Sequence, residues 1–416
     1  MARFLFTMLP ANDLGLPTRL VPIARALADR GHDVAVFNPS PAPAALIADA
    51  GLRNLPMPPR AVPDVPPDMV GVSRAWDTEE LFASAFSDEE LVRAMTALHV
   101  DLMRDFKPDV VVDSFGPFGC LAARILGIPL VSVLQGNFHP ESSGYLYWAG
   151  QRPANLPSAG PVFSKIASEY GLAPIARSVD LLAGDLSLIV GTPETDPVSP
   201  TARVTHIGPI VWQRGNAELP PWVSALNSDK PVVWVYSGNP RYAGAAGSTA
   251  CDSIVVIRAA IAALADAPMH VVLTTGYQEV PAEIGKLPAN FHHATYLPGR
   301  AMAERSDLMV HHGGHSSVMQ GLAAGTPAVI IPTMTERESN ARRLVALGAG
   351  EIVLPIDTAD GEKQIDVAAF AAAVQRVLGE PGYRASARRI AATMKTFGGA
   401  EEAANRIEQF AARPTR

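Results

Sequence analysis

The sequence predicts an α/β protein built as two doubly wound domains that face each other across a cleft. Three observations carry that expectation. Short apolar runs alternate with helical patterns in the first half, the alternation stops at a segment bracketed by Gly208-Pro209 and Pro220-Pro221, and it then restarts. In order, Arg3–Met8 reads as a strand, Thr18–Arg30 as a helix on Leu20, Ile23, Ala24 and Leu27, and Gly31 ends it. Val34–Phe37 is the next strand and Ala42–Ala50 a helix. Glu89–Phe106 is a helix, Val110–Val112 a buried strand, Gly119–Leu126 a helix and Pro129–Val133 a strand. After the break come strands Val232–Val235, His270–Leu273, Leu308–Val310, Ala328–Ile331 and Ile352–Leu354. Helices Ser253–Leu264, Ser316–Ala323, Ser339–Leu347 and Asp366–Leu378 alternate with them. Strands separated by helices imply parallel sheets with right-handed crossovers, and ligands favour the carboxyl ends of such strands.

Composition narrows the function classes. A length of 416 residues fits two domains, and 48% apolar residues supply two cores. A formal net charge of -7 is a poor footprint for nucleic acid, which calls for a basic face. Cys120 and Cys251 stand far apart, so no disulfide framework is implied. The apolar run Phe4-Leu5-Phe6 is soon followed by Pro10 and Asp13, unlike a signal peptide, and no run nears the roughly 20 apolar residues of a membrane helix. A cytoplasmic protein with no membrane partner is the expectation.

The densest motif is His311-His312-Gly313-Gly314-His315-Ser316-Ser317, between an apolar strand and a helix. Its glycines let backbone N–H groups approach an anion, its serines add donors, and a helix N-terminus adds positive potential. A diphosphate is the natural guest. A metal site would need ligands that converge, whereas strand neighbours point apart and no carboxylate is close in sequence. The turn also resembles the hydrolase elbow G-x-S-x-G, but Val318 takes the last glycine's place. Neither a G-x-x-x-x-G-K-[ST] loop nor a G-x-G-x-x-G after the first strand occurs.

The run His312, Gln320-Gly321-Leu322-Ala323-Ala324-Gly325-Thr326-Pro327, Pro332 and Glu336-Arg337-Glu338-Ser339-Asn340-Ala341 resembles the donor signature of family 1 glycosyltransferases, bacterial natural-product and macrolide enzymes among them. Gly15, Pro22–Leu27 and Arg30-Gly31-His32 resemble that family's first strand, loop and helix. Lys107-Pro108-Asp109, Asp113, Ala122-Ala123-Arg124 and Gly127-Ile128-Pro129 resemble its middle, and Gly398-Gly399-Ala400 with Ile407-Glu408 its final helix. The resemblance implies a GT-B fold of two Rossmann-like domains. It places an acceptor-binding domain at 1–207, a linker at 208–229, a nucleotide-sugar-binding domain at 230–397 and a returning helix at 398–416. It implies inverting transfer from a UDP- or dTDP-sugar to a small, largely apolar acceptor, without metal or other cofactor.

Site residues follow from the same resemblance. His312 would contact the phosphate next to the nucleoside, with Gly314, His315, Ser316 and Ser317 around the diphosphate and Gly238 and Asn239 opposite. Tyr296-Leu297 stands where the family stacks a ring on the base, and Gln320 where it holds the ribose. Glu336 and Arg337 replace a pair that reads the sugar hydroxyls; the acidic group keeps an acceptor and Arg337 adds a planar fork. The stretches Pro56–Asp77 and Gln135–Pro174 lose periodicity and carry Trp76, Phe138, Tyr145, Tyr147, Trp148, Phe163 and Tyr170. They are expected to wall the acceptor pocket, since long loops in compact domains tend to be functional, with His139, Tyr145 and Trp148 touching acceptor.

The departure concerns the base. Alignment on Pro22-Ile23-Ala24 sets Gly15-Leu16 where the family carries Gly-His, and a leucine takes no proton. Asp13 in the same loop is the replacement, with Asp113 acting directly or sharing a proton with it; an Asx turn and a loop cap are the bland alternatives. His32 reads as a turn residue, His292-His293 as solvent-facing residues before a strand, and Gly244–Ser248 as a flap near the donor or merely a flexible loop. A nucleotide-sugar epimerase and a catalytically silent nucleotide-sugar-binding partner share these motifs.

Overall fold

The computed structural model describes all residues except 12, 143–144, 146–152, 213–217, 227–228, 242–247, 359–361 and 414–416. The first half runs β1 (Arg3–Met8), α1 (Pro17–Asp29), β2 (Asp33–Phe37), α2 (Pro41–Asp49), β3 (Arg53–Asn54), α3 (Met69–Arg74), α4 (Thr78–Ala85) and α5 (Glu89–Phe106). It continues with β4 (Val110–Ser114), α6 (Pro117–Leu126), β5 (Leu130–Leu134), α7 (Gly160–Glu169), β6 (Leu186–Ile189) and β7 (Val204–His206). The second half runs α8 (Pro221–Ser224), β8 (Val232–Tyr236), α9 (Ile254–Leu264), β9 (His270–Thr274), β10 (Phe291–Ala294), α10 (Gly299–Arg305), β11 (Leu308–His311), α11 (His315–Ala324) and β12 (Ala328–Ile330). Then come α12 (Thr335–Ala346), β13 (Gly350–Ile352), the antiparallel pair β14 (Ile356–Asp357) and β15 (Lys363–Gln364), α13 (Val367–Gly379), α14 (Pro381–Met394) and α15 (Gly399–Ala411).

The strands form two parallel sheets. One has the order β3-β2-β1-β4-β5-β6-β7 and the other β10-β9-β8-β11-β12-β13. In each, the chain reverses its direction of winding between two central strands, β1 and β4 or β8 and β11. Loops after such strands diverge and open a crevice. The turn that carries Asp13 follows β1; Ser237-Gly238-Asn239 follows β8, and His312-Gly313-Gly314 follows β11.

Side-chain parity decides what each strand covers. Phe4, Phe6, Met8, Val110 and Val112 pack on one face with Leu20, Ile23 and Leu27 of α1 and Ala403, Ala404 and Ile407 of α15. Leu5 and Val111 turn to the opposite face, with Leu98 and Leu102 of α5 and Leu121 of α6. Thr7 and Asp113 share that second parity, which directs Asp113 toward α6. The terminal helix thus returns to the first sheet. Arg30 bonds Glu401 at 2.8 Å and Glu408 at 3.0 Å, and His32 Nε2 lies 3.0 Å from Glu408. His32 also accepts the Ala2 N–H, so it braces the terminal helix as well as the turn.

Several sequence expectations shift. α12 begins at Thr335, not Ser339, so Glu336 and Arg337 lie in its first turn. His292 and His293 lie within β10 and are half-buried, and His293 Nε2 sits 3.0 Å from the Thr275 hydroxyl. The aperiodic stretches contain α3 and α7, and two of their aromatics, Phe138 and Phe163, are core, while Trp76 is half-buried and Tyr170 exposed. Phe138 stacks on Phe115 at 4.0 Å, and Phe163 lies 5.9 Å from Phe118, all within the buried cluster. Among the described residues no helix is long and apolar enough to cross a membrane.

Candidate functional site

The second sheet builds a cradle from two glycine-bearing loops and a helix start. Gly238 has a φ of 66°, which side-chain-bearing residues avoid, and a Cβ there would stand 2.8 Å from His312 Cε1. The bare backbone lets the two loops meet. His312 is 9% exposed, its Nδ1 has no partner among the described residues, and burial, then Arg337, then His311, hold its pKa well below the usual imidazole value. A neutral ring with an unsatisfied nitrogen is a group built to receive something. Beside it α11 begins at His315, with Gly314 as its N-cap, and no side chain among the described residues caps it. Ser316 is exposed there and Ser317 is buried. Arg337 donates to the Cys251 carbonyl at 3.3 Å and to Thr333, and its charge is felt at His312 and Tyr236.

Farther along this edge, Tyr296 stacks on Tyr277 with ring centroids 4.7 Å apart and planes 11° from parallel. Tyr277, at a φ of 71°, was not visible as a site residue from sequence. Leu297 is 3% exposed, in the core, which leaves its backbone alone for a ligand. The Gln320 amide lies over Gly299, where a Cβ would come within 2.1 Å of Nε2. Gly276 touches the Gly238–Asn239 backbone, fixing the loop from below.

Two predicted donor residues also bridge the halves. His315 Nε2 lies 2.8 Å from Asp196 Oδ1, and both side chains are buried. Asp196 also accepts the Gly136 N–H at 2.9 Å and the Thr195 hydroxyl at 3.0 Å. Burial alone would raise its pKa, but His315 and these donors outweigh it and hold it below the usual carboxylate value. Glu336 Oε1 accepts from Gln135 Nε2 at 2.6 Å and from Asn340 Nδ2 at 2.7 Å, while Asn137 Nδ2 reaches Asn340 at 3.1 Å. Gln135 in turn accepts from Arg19. Gln135, Asn137 and Asp196 were missed, although Gln135 stands two residues past the predicted strand Pro129–Val133, at the carboxyl end where sites gather. Arg19 showed itself as a charge beside Leu20 and Ile23 of an apolar helix face.

The two carboxylates part company. Asp13 Oδ1 accepts the Gly15 N–H at 2.9 Å in an Asx turn, and the residue is partly exposed in the loop after β1. Leu16 packs against both cores of the first sheet. Asp113 does not face the cleft, as acting directly would require, nor does it share a proton with Asp13. It is 1% exposed beneath α6, where Oδ2 accepts from Thr7 Oγ1 at 2.6 Å and Oδ1 from the Gly116 N–H at 2.7 Å. Burial pushes its pKa up to about 7 against those bonds. It caps the loop before α6.

The presumed acceptor residues divide likewise. His139 is buried, and its Nδ1 accepts the Glu141 N–H at 3.2 Å. Tyr145 is buried with its hydroxyl 3.4 Å from Thr78 Oγ1. Trp148, Tyr147 and Gly244–Gly247 of the supposed flap lie outside the described residues. Among the described residues no group of three His, Cys, Asp or Glu side chains is placed to hold a metal ion.

Comparison with known proteins agrees with this architecture. The family model described as "Erythromycin biosynthesis protein CIII-like, C-terminal domain" matches residues 258–410, and "Glycosyl transferase 4-like domain" matches 15–163. A PGL/p-HBAD biosynthesis glycosyltransferase of Mycobacterium tuberculosis is 25% identical over 327 residues, covering 74% of this chain and 71% of the relative. The NDP-glycosyltransferase YjiC of Bacillus subtilis is 25% identical over 314 residues, covering 74% of each. The crystal structure of the glycosyltransferase VinC in complex with dTDP superposes with a TM-score of 0.69 at 22% identity, over 98% of this chain and 99% of that one. This last likeness concerns the fold.

The buried Asp113 sets a pH dependence of stability. Its pKa is higher folded than unfolded, so the protonated form's stabilising contribution is complete below the unfolded value near 4 and is lost as pH rises toward about 7. Asp113→Asn keeps an acceptor for Gly116 and removes the charge. Thermal melts should show the variant gaining on wild type more at pH 8 than at pH 5; an equal difference at both would contradict the assignment.

Proposed function

We propose that this chain, a family 1 glycosyltransferase of the GT-B fold, moves a sugar from UDP or dTDP to a small, largely apolar acceptor with inversion at the anomeric carbon. The observation that carries the donor reading is the unsatisfied His312 nitrogen beside the uncapped start of α11 and the glycine loop of β8. A diphosphate supplies the acceptors those donors lack. The printed descriptions of the relatives support it: one is an NDP-glycosyltransferase, and VinC holds dTDP.

In this reading the base lies near Tyr296 and the phosphates between His312, the α11 N–H groups and the serine hydroxyls. Leaving-group charge is met by donors already oriented, with Arg337 adding a cation, so neither a metal nor another cofactor is required. The acceptor enters from the first sheet. Asp13, in the loop after β1, takes the hydroxyl proton as the new bond forms, and Asp113 steadies that region through Thr7 and Gly116.

Calorimetry tests the donor site. His312→Ala should bind UDP or dTDP more weakly by roughly 1.5–3 kcal/mol, the worth of a hydrogen bond to a charged group. Unchanged affinity would remove His312 from the phosphates. The base is tested with an acceptor found by mass-detected screening: Asp13→Asn should lower kcat by about 10²–10⁴-fold at unchanged nucleotide affinity. A wild-type rate would exclude Asp13.

A further inference from the structure

Arg19 is a cation in a place that apolar residues fill. It stands in the first turn of α1 beside buried Leu20 and Val21, and it is 5% exposed. Among the described residues its guanidinium makes one hydrogen bond, from Nη2 to Gln135 Oε1 at 3.3 Å, and Nη1 has no partner. Asp196, Glu336 and Asp13 surround it at longer range, but burial outweighs their attraction and lowers its pKa to about 10. A buried charge without a direct counter-ion destabilises a fold, and positions that break a packing rule without local compensation are where function gathers.

Among the described residues, the buried, unpartnered donor has an unpartnered acceptor in the other half. Gln135 links Arg19 of the first half to Glu336 of the second, and both hydrogen bonds to Glu336 fall on Oε1. Arg19 Nη1 and Glu336 Oε2 are therefore left unbonded by the described residues on either side of one amide bridge. A sugar hydroxyl donates and accepts at once, so one hydroxyl can satisfy both. Three carboxylates around a single guanidinium disfavour an anionic guest, which selects a neutral hexose over a uronic acid.

We infer that Arg19 is a specificity-determining residue: its Nη1 donates to a hydroxyl oxygen of the donor sugar while that hydroxyl donates to Glu336. The inference rests on the nucleotide-sugar reading above. It makes sugar recognition a joint act of the two halves, so that the correct sugar favours the closed cleft.

Calorimetry on the full chain tests it without an acceptor. For wild type, Arg19→Met and Arg19→Lys, the Kd is measured for UDP or dTDP, for the matching nucleotide hexose and for its monodeoxy analogues, together with the melting temperature. Wild type should hold the hexose about 10–100-fold more tightly than the analogue lacking the contacted hydroxyl. In Arg19→Met that preference should fall below about threefold, with nucleoside diphosphate affinity unchanged and the melting temperature equal or higher; Arg19→Lys should lie between. An unchanged preference in Arg19→Met overturns the inference. So does a matched loss of melting temperature and nucleoside diphosphate affinity in both variants, which marks a structural role. If wild type binds no nucleoside diphosphate, the donor reading itself fails and takes this inference with it.

Discussion

A hydrogen bond between two buried side chains, Asp196 and His315, sets the geometry of the whole cleft. It joins the loop after β6 to the first residue of α11, so the helix that points its N-terminus at the cradle is held by the opposite sheet. Asp196 is fixed from its own side by the Gly136 N–H, the Thr195 hydroxyl and a close approach to Gly191. A carboxylate taken out of water must keep its hydrogen bonds, because losing one partner leaves a buried charge uncompensated. That condition makes the arrangement all-or-none. Either the halves meet with His315 on Asp196, or they part and both groups return to water.

Around this bond the seam is mostly polar, with small apolar patches. Glu336, Asn340, Gln135 and Asn137 form a chain of amide and carboxylate bonds, and Thr335 donates to the Ala75 carbonyl at 2.6 Å. Cys251 and Met334 extend the core of the first sheet across the gap. Outer ion pairs, Arg389 with Glu194 and Arg74 with Asp357, are exposed and contribute little at ordinary salt. A seam of hydrogen bonds that water can replace suits two bodies that separate to admit substrate and close to exclude solvent.

The parallel sheets and most helices were legible in the sequence because buried strands read as apolar runs and helices as a 3.6-residue period. Glu89–Phe106 was placed to the residue. β6, β7 and β10 escaped because they are short, lie at or near the sheet edges and include polar residues. In the site, the His311–Ser317 turn was legible since glycines and serines between strand and helix have few other uses. The seam was not. His315 was read as a phosphate ligand, and the bond of its ring to Asp196, 119 positions away, left no trace in the sequence. Asp113 was misread for a different reason: strand parity sends it under α6, and that parity was already present in Val110–Asp113 but went unused. Phe138 and Phe163 lacked a clean period because they anchor irregular segments to a core, which composition alone does not separate from a pocket wall.

The central claim is that a nucleoside diphosphate completes the hydrogen bonding of the α11 cradle while the Asp196–His315 bond holds that helix in place. A crystal structure grown with UDP or dTDP tests it most directly. The account requires phosphate oxygens within hydrogen-bonding distance of the His312 ring and the first N–H groups of α11, with His315 still on Asp196. A nucleotide bound away from His312, or one whose phosphates displace His315 from Asp196, would contradict it.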